Sequence, residues 1–180
     1  LDWPPKSPIE VISRLREGDV LTHCFRPFPA APARSDGRIR EEILEARERG
    51  VIFDIGHGVG SFGFETAETM LNAGFLPDAI SSDVHSLSIK GPAYDQLVTL
   101  SKFLHLGMSI TDIIAASTTG PARAIRRPDL GTLSPGSIGD ATILSIEKGE
   151  FIFTDSLGHT RSGEKKFTLK GIVLDGEMWG

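Results

Sequence analysis

Cysteine and tyrosine are nearly absent: Cys24 and Tyr94 stand alone among 180 residues. A lone thiol excludes an internal disulfide, so the fold rests on its buried core, and a reducing, cytoplasmic setting is expected. Long apolar runs are missing too. None approaches the ~20 residues of a membrane-spanning helix, so no membrane partner is expected. A basic surplus is also lacking. The chain has 19 Lys and Arg against 24 Asp and Glu, a net charge of −5. A nucleic-acid surface needs a basic patch, so a small-molecule partner is the better expectation.

The chain does hold a recurring phrase, an apolar run that ends in an ionisable residue. It occurs as Val20-Leu21-Thr22-His23, as Val51-Ile52-Phe53-Asp54-Ile55-Gly56-His57, and as Ala79-Ile80-Ser81-Ser82-Asp83-Val84-His85. These predict strands over 18–25, 51–55 and 77–82. Apolar spacing predicts helices over 36–49 and 64–73 between them. A strand, a helix and a second strand at this spacing make a right-handed crossover with parallel neighbours. In parallel α/β folds, ligands sit beyond the carboxyl ends of the strands, where His23, His57 and Asp83 fall. Alternation along an extended chain turns Asp83 and His85 the same way.

The residue types suit a metal. Imidazole and carboxylate are ordinary zinc ligands, and a catalytic zinc keeps three protein ligands and a water. The ion acidifies that water, and a neighbouring carboxylate can carry its proton to a leaving group. Blander roles stand beside these. His23 can be a buried imidazole bonded to backbone, Asp83 a loop cap, and His57 part of a tight turn between glycines. Asp54 reads as a loop or supporting carboxylate. Cys24 follows His23 and should point into the sheet wall. His105 and His159 read as surface residues.

Helices are also predicted over 8–16 with Ser7 as N-cap, over 94–106, from a Ser109…Asp112 capping phrase to about 117, and over 121–126. After Leu130 the composition turns to Gly, Ser and Pro, and β-type runs follow at 141–146, 151–154 and 167–173. The division expected is a β/α region over 1–128 and a small β region over 129–180.

The phrases Gly18-Asp19-Val20-Leu21-Thr22-His23-Cys24-Phe25, Phe53-Asp54-Ile55-Gly56-His57-Gly58 and Ser82-Asp83-Val84-His85-Ser86 resemble the amidohydrolase superfamily. So do Thr118-Thr119-Gly120-Pro121-Ala122-Arg123-Ala124, Gly131-Thr132-Leu133-Ser134-Pro135-Gly136 and Gly139-Asp140-Ala141. The resemblance is to the C-terminal half of its dihydroorotase-like amidohydrolase/deacetylase group. It implies an α/β fold: strands 6 to 8 of a (β/α)8 TIM barrel, followed by a segment of a small β-sandwich subdomain. It also implies His23 and Asp83 as metal ligands, Asp83 as general base, and zinc as one or two divalent ions. His57 then falls on a strand that does not usually supply a ligand; it is expected to face substrate or to support the site from behind, and His85 is expected to face substrate. The activity implied is metal-dependent hydrolysis of an amide, cyclic amide or ester. The family's ligands on strands 1, 4 and 5 have no counterpart here. The chain is therefore expected to need the missing N-terminal half of the barrel, or an oligomer, and to be inactive alone. The alternative is a non-catalytic remnant or assembly subunit with an incomplete metal site.

Overall fold

The computed structural model describes residues 8–179. Ser7, the expected cap of the first helix, lies outside them. Helix α1 (Pro8–Ile12) leads to strand β1 (Val20–Leu21), helix α2 (Glu41–Glu48) and strand β2 (Ile52–Phe53). Four helices follow: α3 (Phe64–Asn72), α4 (Gln96–His105), α5 (Ile110–Ser117) and α6 (Thr119–Ala124). The chain ends in strands β3 (Ala141–Thr154), β4 (Thr160–Leu174) and β5 (Glu177–Trp179).

Strands β1 and β2 pair in parallel, Val20 with Ile52 and Leu21 with Phe53, as the crossover argument requires. Both are far shorter than predicted. The third expected strand, over 77–82, reduces to a single parallel bridge between Asp54 and Ala79. Its backbone still runs alongside β2: Ala79 O accepts from Ile55 N, Ser81 O from His57 N, and Ser82 O from Gly58 N, at 3.0–3.1 Å. Three parallel extended segments thus lie side by side, though only the first pair forms a regular ladder.

Helix α2 starts later than its sequence pattern suggests, because residues 33–39 close a small turn first. Ala33 bridges Ile39, and the Asp36 carboxylate accepts from Arg38 Nε and Nη2. Ile43 and Ala46 are buried, while Leu44 stays exposed. Asp95 caps α4 by accepting from Val98 N at 2.7 Å. Ser109 caps α5 by accepting from Asp112 N at 3.1 Å, the predicted capping phrase at work.

The β region differs from its prediction in continuity. The runs at 141–146 and 151–154 are one strand, β3, carried through Gly149 by a register shift between Lys148 and Phe151. A bulge absorbs residues that read as a turn. β3 pairs antiparallel with β4, and β4 with β5. Asp140 pins the far end of this sheet by accepting from Asp175 N at 2.8 Å. Phe153 and Phe167 are buried in the same cluster as Phe25, Phe62, Phe64 and Phe103. Ser101 Oγ on α4 accepts from Phe167 N at 2.9 Å. The hairpin is therefore stitched to α4 and to the turn that follows β2.

Candidate active site

The ends of the three parallel segments meet at the turn Gly56-His57-Gly58. On one side, His23 Nδ1 lies 2.7 Å from the Gly56 carbonyl. A carbonyl only accepts, so Nδ1 carries the proton and the Nε2 lone pair is left for another partner. This is the way a metal-binding imidazole is oriented. On the other side, the Asp83 carboxylate lies against Gly58. A Cβ at Gly56 would run into Thr22 Oγ1 and His23 Nδ1, and a Cβ at Gly58 into Asp83 Oδ2. Gly56 has φ +49° and Gly58 φ +52°, both favourable to glycine. The turn is thus a low saddle on which an imidazole and a carboxylate lean from opposite sides.

His23 and Asp83 are themselves held at positive φ, 60° and 46°. Such a backbone is uncommon outside glycine and tends to occur where a side chain is aimed for use. It also corrects the alternation argument for Asp83 and His85. With Asp83 in the left-handed region, the segment is no longer extended, and the two side chains are not related by strand pleating. His85 closes its own turn instead. Its Nδ1 accepts from Leu87 N at 3.3 Å, and its backbone N–H donates to Ser88 Oγ at 3.0 Å. Both Asp83 and His85 are exposed, and His23 is half-buried.

Asp54 ties the segments together beneath the saddle. Its Oδ2 accepts from Thr22 Oγ1 at 2.6 Å and from Ser81 Oγ at 2.8 Å, and Ser81 Oγ accepts from Gly56 N at 3.0 Å. Thr22 precedes His23, and Ser81 stands two residues before Asp83. The other oxygen, Oδ1, is buried with no hydrogen-bond partner among the described residues. A buried carboxylate oxygen without a donor is costly, so this atom is open to a donor from elsewhere. Cys24 is buried, and desolvation first, then the Asp54 charge, pushes its thiol pKa well up. It is not an activated nucleophile.

His57 departs most from expectation. Of the two places expected for it, the ring does not take the one facing substrate: it is fully buried and stacks on Phe62 with centroids 4.7 Å apart. Its Nε2 lies 2.7 Å from Lys102 Nζ, and burial, with the Lys102 charge second, lowers its pKa to about 3. The glycines beside it belong to the rim, but the imidazole points into the core. Sequence reading missed Thr22, Ser81 and Lys102 as parts of this region. For Lys102 the signal was a lysine three residues after Thr99 and beside Phe103, both buried on α4.

Among the described residues no group of three His, Cys, Asp or Glu converges on one point. His23 Nε2 and the Asp83 carboxylate are nonetheless the donor types a divalent ion takes. No helix of the described residues is long and apolar enough to cross a membrane.

The chain resembles known proteins over most of its length. Residues 38–179 match the family described as Amidohydrolase family. A deacetylase of Enterococcus faecalis is 34% identical over 172 residues, covering 94% of this chain and 47% of that protein. A deacetylase of Agrobacterium fabrum is 33% identical over 178 residues, 97% of this chain and 43% of its own. Among solved structures, an adenine deaminase superposes with a TM-score of 0.92 at 34% identity, over 98% of this chain and 48% of that one. A dihydroorotase gives 0.81 at 32% identity, over 99% and 46%. The chain thus spans just under half the length of the relatives it matches, as a partial barrel would.

Proposed function

Because the chain belongs to the amidohydrolase family, we propose that it forms the C-terminal part of a metal-dependent hydrolase. The substrates are small molecules with an amide, cyclic amide or ester bond, and a deacetylase-like reaction is the leading case. The observation that carries this reading is the imidazole–carboxylate pair on the Gly56–Gly58 saddle, with His23 Nδ1 committed to a backbone carbonyl and Nε2 left to bind. The parallel segments are then strands 6, 7 and 8 of the barrel, and residues 129–180 the segment of the smaller β domain. The remaining donors come from a barrel half outside these residues. Val20, 43% exposed at the outer edge of β1, is where the preceding strand would pair.

In this reading His23 Nε2 and the Asp83 carboxylate hold the ion, with zinc the natural candidate. When bound, the ion supplies polarisation of the scissile carbonyl and acidification of the attacking water. Asp83 would serve as the base, carrying a proton from the attacking water to the departing nitrogen or oxygen. Its exposure lets it reach both. Asp54, through Thr22 and Ser81, keeps the two segments that carry His23 and Asp83 in register. His85, exposed beside Asp83, is the residue of this chain best placed to meet substrate; His57, being buried, is not.

The test is metal analysis and turnover of the complete protein, assayed on N-acetylated carboxylates and cyclic amides. Stoichiometric divalent metal is expected, and Asp83→Asn should lower turnover by roughly 10²–10⁴-fold. Metal-free protein without turnover would favour the remnant reading instead, whereas Asp83→Asn with ordinary turnover would mean that Asp83 is not the base.

A further inference from the structure

Lys102 on α4 is fully buried, and among the described residues no carboxylate lies within ion-pair distance of its ammonium. Its Nζ makes three contacts of 2.7 Å: with His57 Nε2, with the Pro92 carbonyl and with the Thr154 carbonyl. The tautomer of His57 follows from its other nitrogen. Nδ1 lies 3.0 Å from the Gly58 carbonyl, which only accepts, so Nδ1 bears the proton and Nε2 accepts from Lys102. A buried ammonium is unfavourable unless all of its protons are received, and here three acceptors receive three protons.

The acceptors come from three places. His57 is the centre of the saddle, Pro92 lies on the segment after Asp83 and His85, and Thr154 ends β3. The hairpin turn is fastened to the same neighbourhood independently. Ser156 Oγ accepts from Phe62 N at 3.1 Å, Ser156 N donates to Phe62 O at 3.0 Å, and Asp155 Oδ2 accepts from Phe64 N at 3.0 Å. Burial lowers the Lys102 pKa to about 7, with the Asp155 charge opposing the shift. Only atoms in van der Waals contact separate this joint from the rim, since Gly56 touches His23 and Gly58 touches Asp83.

We propose that Lys102 and His57 form a strut that seats the Gly56-His57-Gly58 saddle on the hairpin, and through the saddle aligns His23 and Asp83. Lys102 is then a positioning residue for the reaction proposed above, touching neither substrate nor ion. The inference rests on the metal-hydrolase reading of the rim.

The experiment uses the complete protein with four changes: Lys102→Met, His57→Phe, the two combined, and His57→Gln. Metal affinity is measured by chelator competition, kcat and KM separately, and unfolding on metal-free samples. Each single change should weaken metal binding about tenfold or more, the scale of lost outer-shell support, and lower kcat while KM stays within twofold. The double should recover part of the stability, because the buried ammonium goes together with its imidazole acceptor while the Pro92 and Thr154 carbonyls still lose a donor, yet it should keep the metal and kcat defects. His57→Gln keeps an acceptor opposite the ammonium and should restore metal affinity to within threefold. A folded double that binds metal and turns over like wild type would overturn the strut, as would His57→Gln being as defective as His57→Phe. If wild type itself binds no metal, the hydrolase reading fails first, and the two failures are told apart.

Discussion

The hairpin and the rim solve opposite problems. β3 and β4 pair from Ala141 with Val173 to Thr154 with Thr160, and no residue within either strand has positive φ. Nearly every backbone group there is spent on the ladder, which leaves little for chemistry. At the rim the ladder of β1 and β2 covers two residues on each strand, and His23 and Asp83 are both in the left-handed region. Leaving the ladder early frees side chains to face outward, at the cost of local backbone strain. The comparison teaches that the two regions depend on one another: the regular one supplies the footing that the irregular one lacks, and Lys102 is where they join.

The joint offers the largest effect, and it is a pH effect. Lys102 titrates near 7 when folded against 10.5 when free, so between those values the unfolded chain binds more protons. Stability therefore rises with pH across that window, by up to about 1.4 kcal/mol per unit. His57, near 3 folded against 6.5 free, makes stability fall as pH drops from about 6.5 toward 3. Cys24 acts the other way above its free value of 9.0, because its folded thiol resists ionisation. The readout is thus a difference. Denaturation of wild type and Lys102→Met should diverge steadily between pH 7 and 10, with the wild type gaining. Parallel curves would mean that burial does not disfavour the ammonium at this joint.

A change on the hairpin side alone comes next. Phe167→Ala removes a ring that is 5% exposed, beside Phe153 and α4. The expected loss is about 3–5 kcal/mol, measured by the urea midpoint at constant m-value. Activity per folded molecule should be kept, since Phe167 sits on β4 with its N–H bonded to Ser101 on α4, away from the strand ends that carry His23 and Asp83. A fall in kcat without a fall in stability would break the division between footing and site.

These effects also mark how far sequence carries. The rim was legible because an apolar run that ends in His or Asp has few readings, and the Ser109 cap because Ser109 and Asp112 are close in sequence. The continuity of β3 was not, since Gly149 among charges reads as a turn unless its pairing with β4 is known. Which way His57 faces was not legible, because two flanking glycines identify a rim turn without saying where the ring points. Lys102 was invisible for a related reason: helical periodicity assigns a lysine to solvent, and its three acceptors lie 45, 10 and 52 residues away. Asp54 was recognised as a supporting carboxylate, but its partners Thr22 and Ser81 come from the neighbouring segments and emerge only when the sheet is assembled.

The smallest effect is the sharpest comparison, because the same substitution can be made in both regions. Gly56 at the saddle and Gly158 in the hairpin turn have positive φ, 49° and 82°. An alanine at either should lose roughly 1–2 kcal/mol for the left-handed backbone. At Gly158 nothing lies within 4 Å of the new methyl group, so that backbone term is the whole effect. At Gly56 the methyl group meets Thr22 Oγ1 and His23 Nδ1, and the imidazole must turn off its carbonyl. Gly56→Ala should therefore cost at least as much as Gly158→Ala in unfolding and, unlike it, weaken metal binding by the ~10-fold or more associated with a displaced ligand. Equal metal affinity in the two variants would mean that His23 does not bind through the orientation Gly56 gives it, and the saddle would then be only a turn.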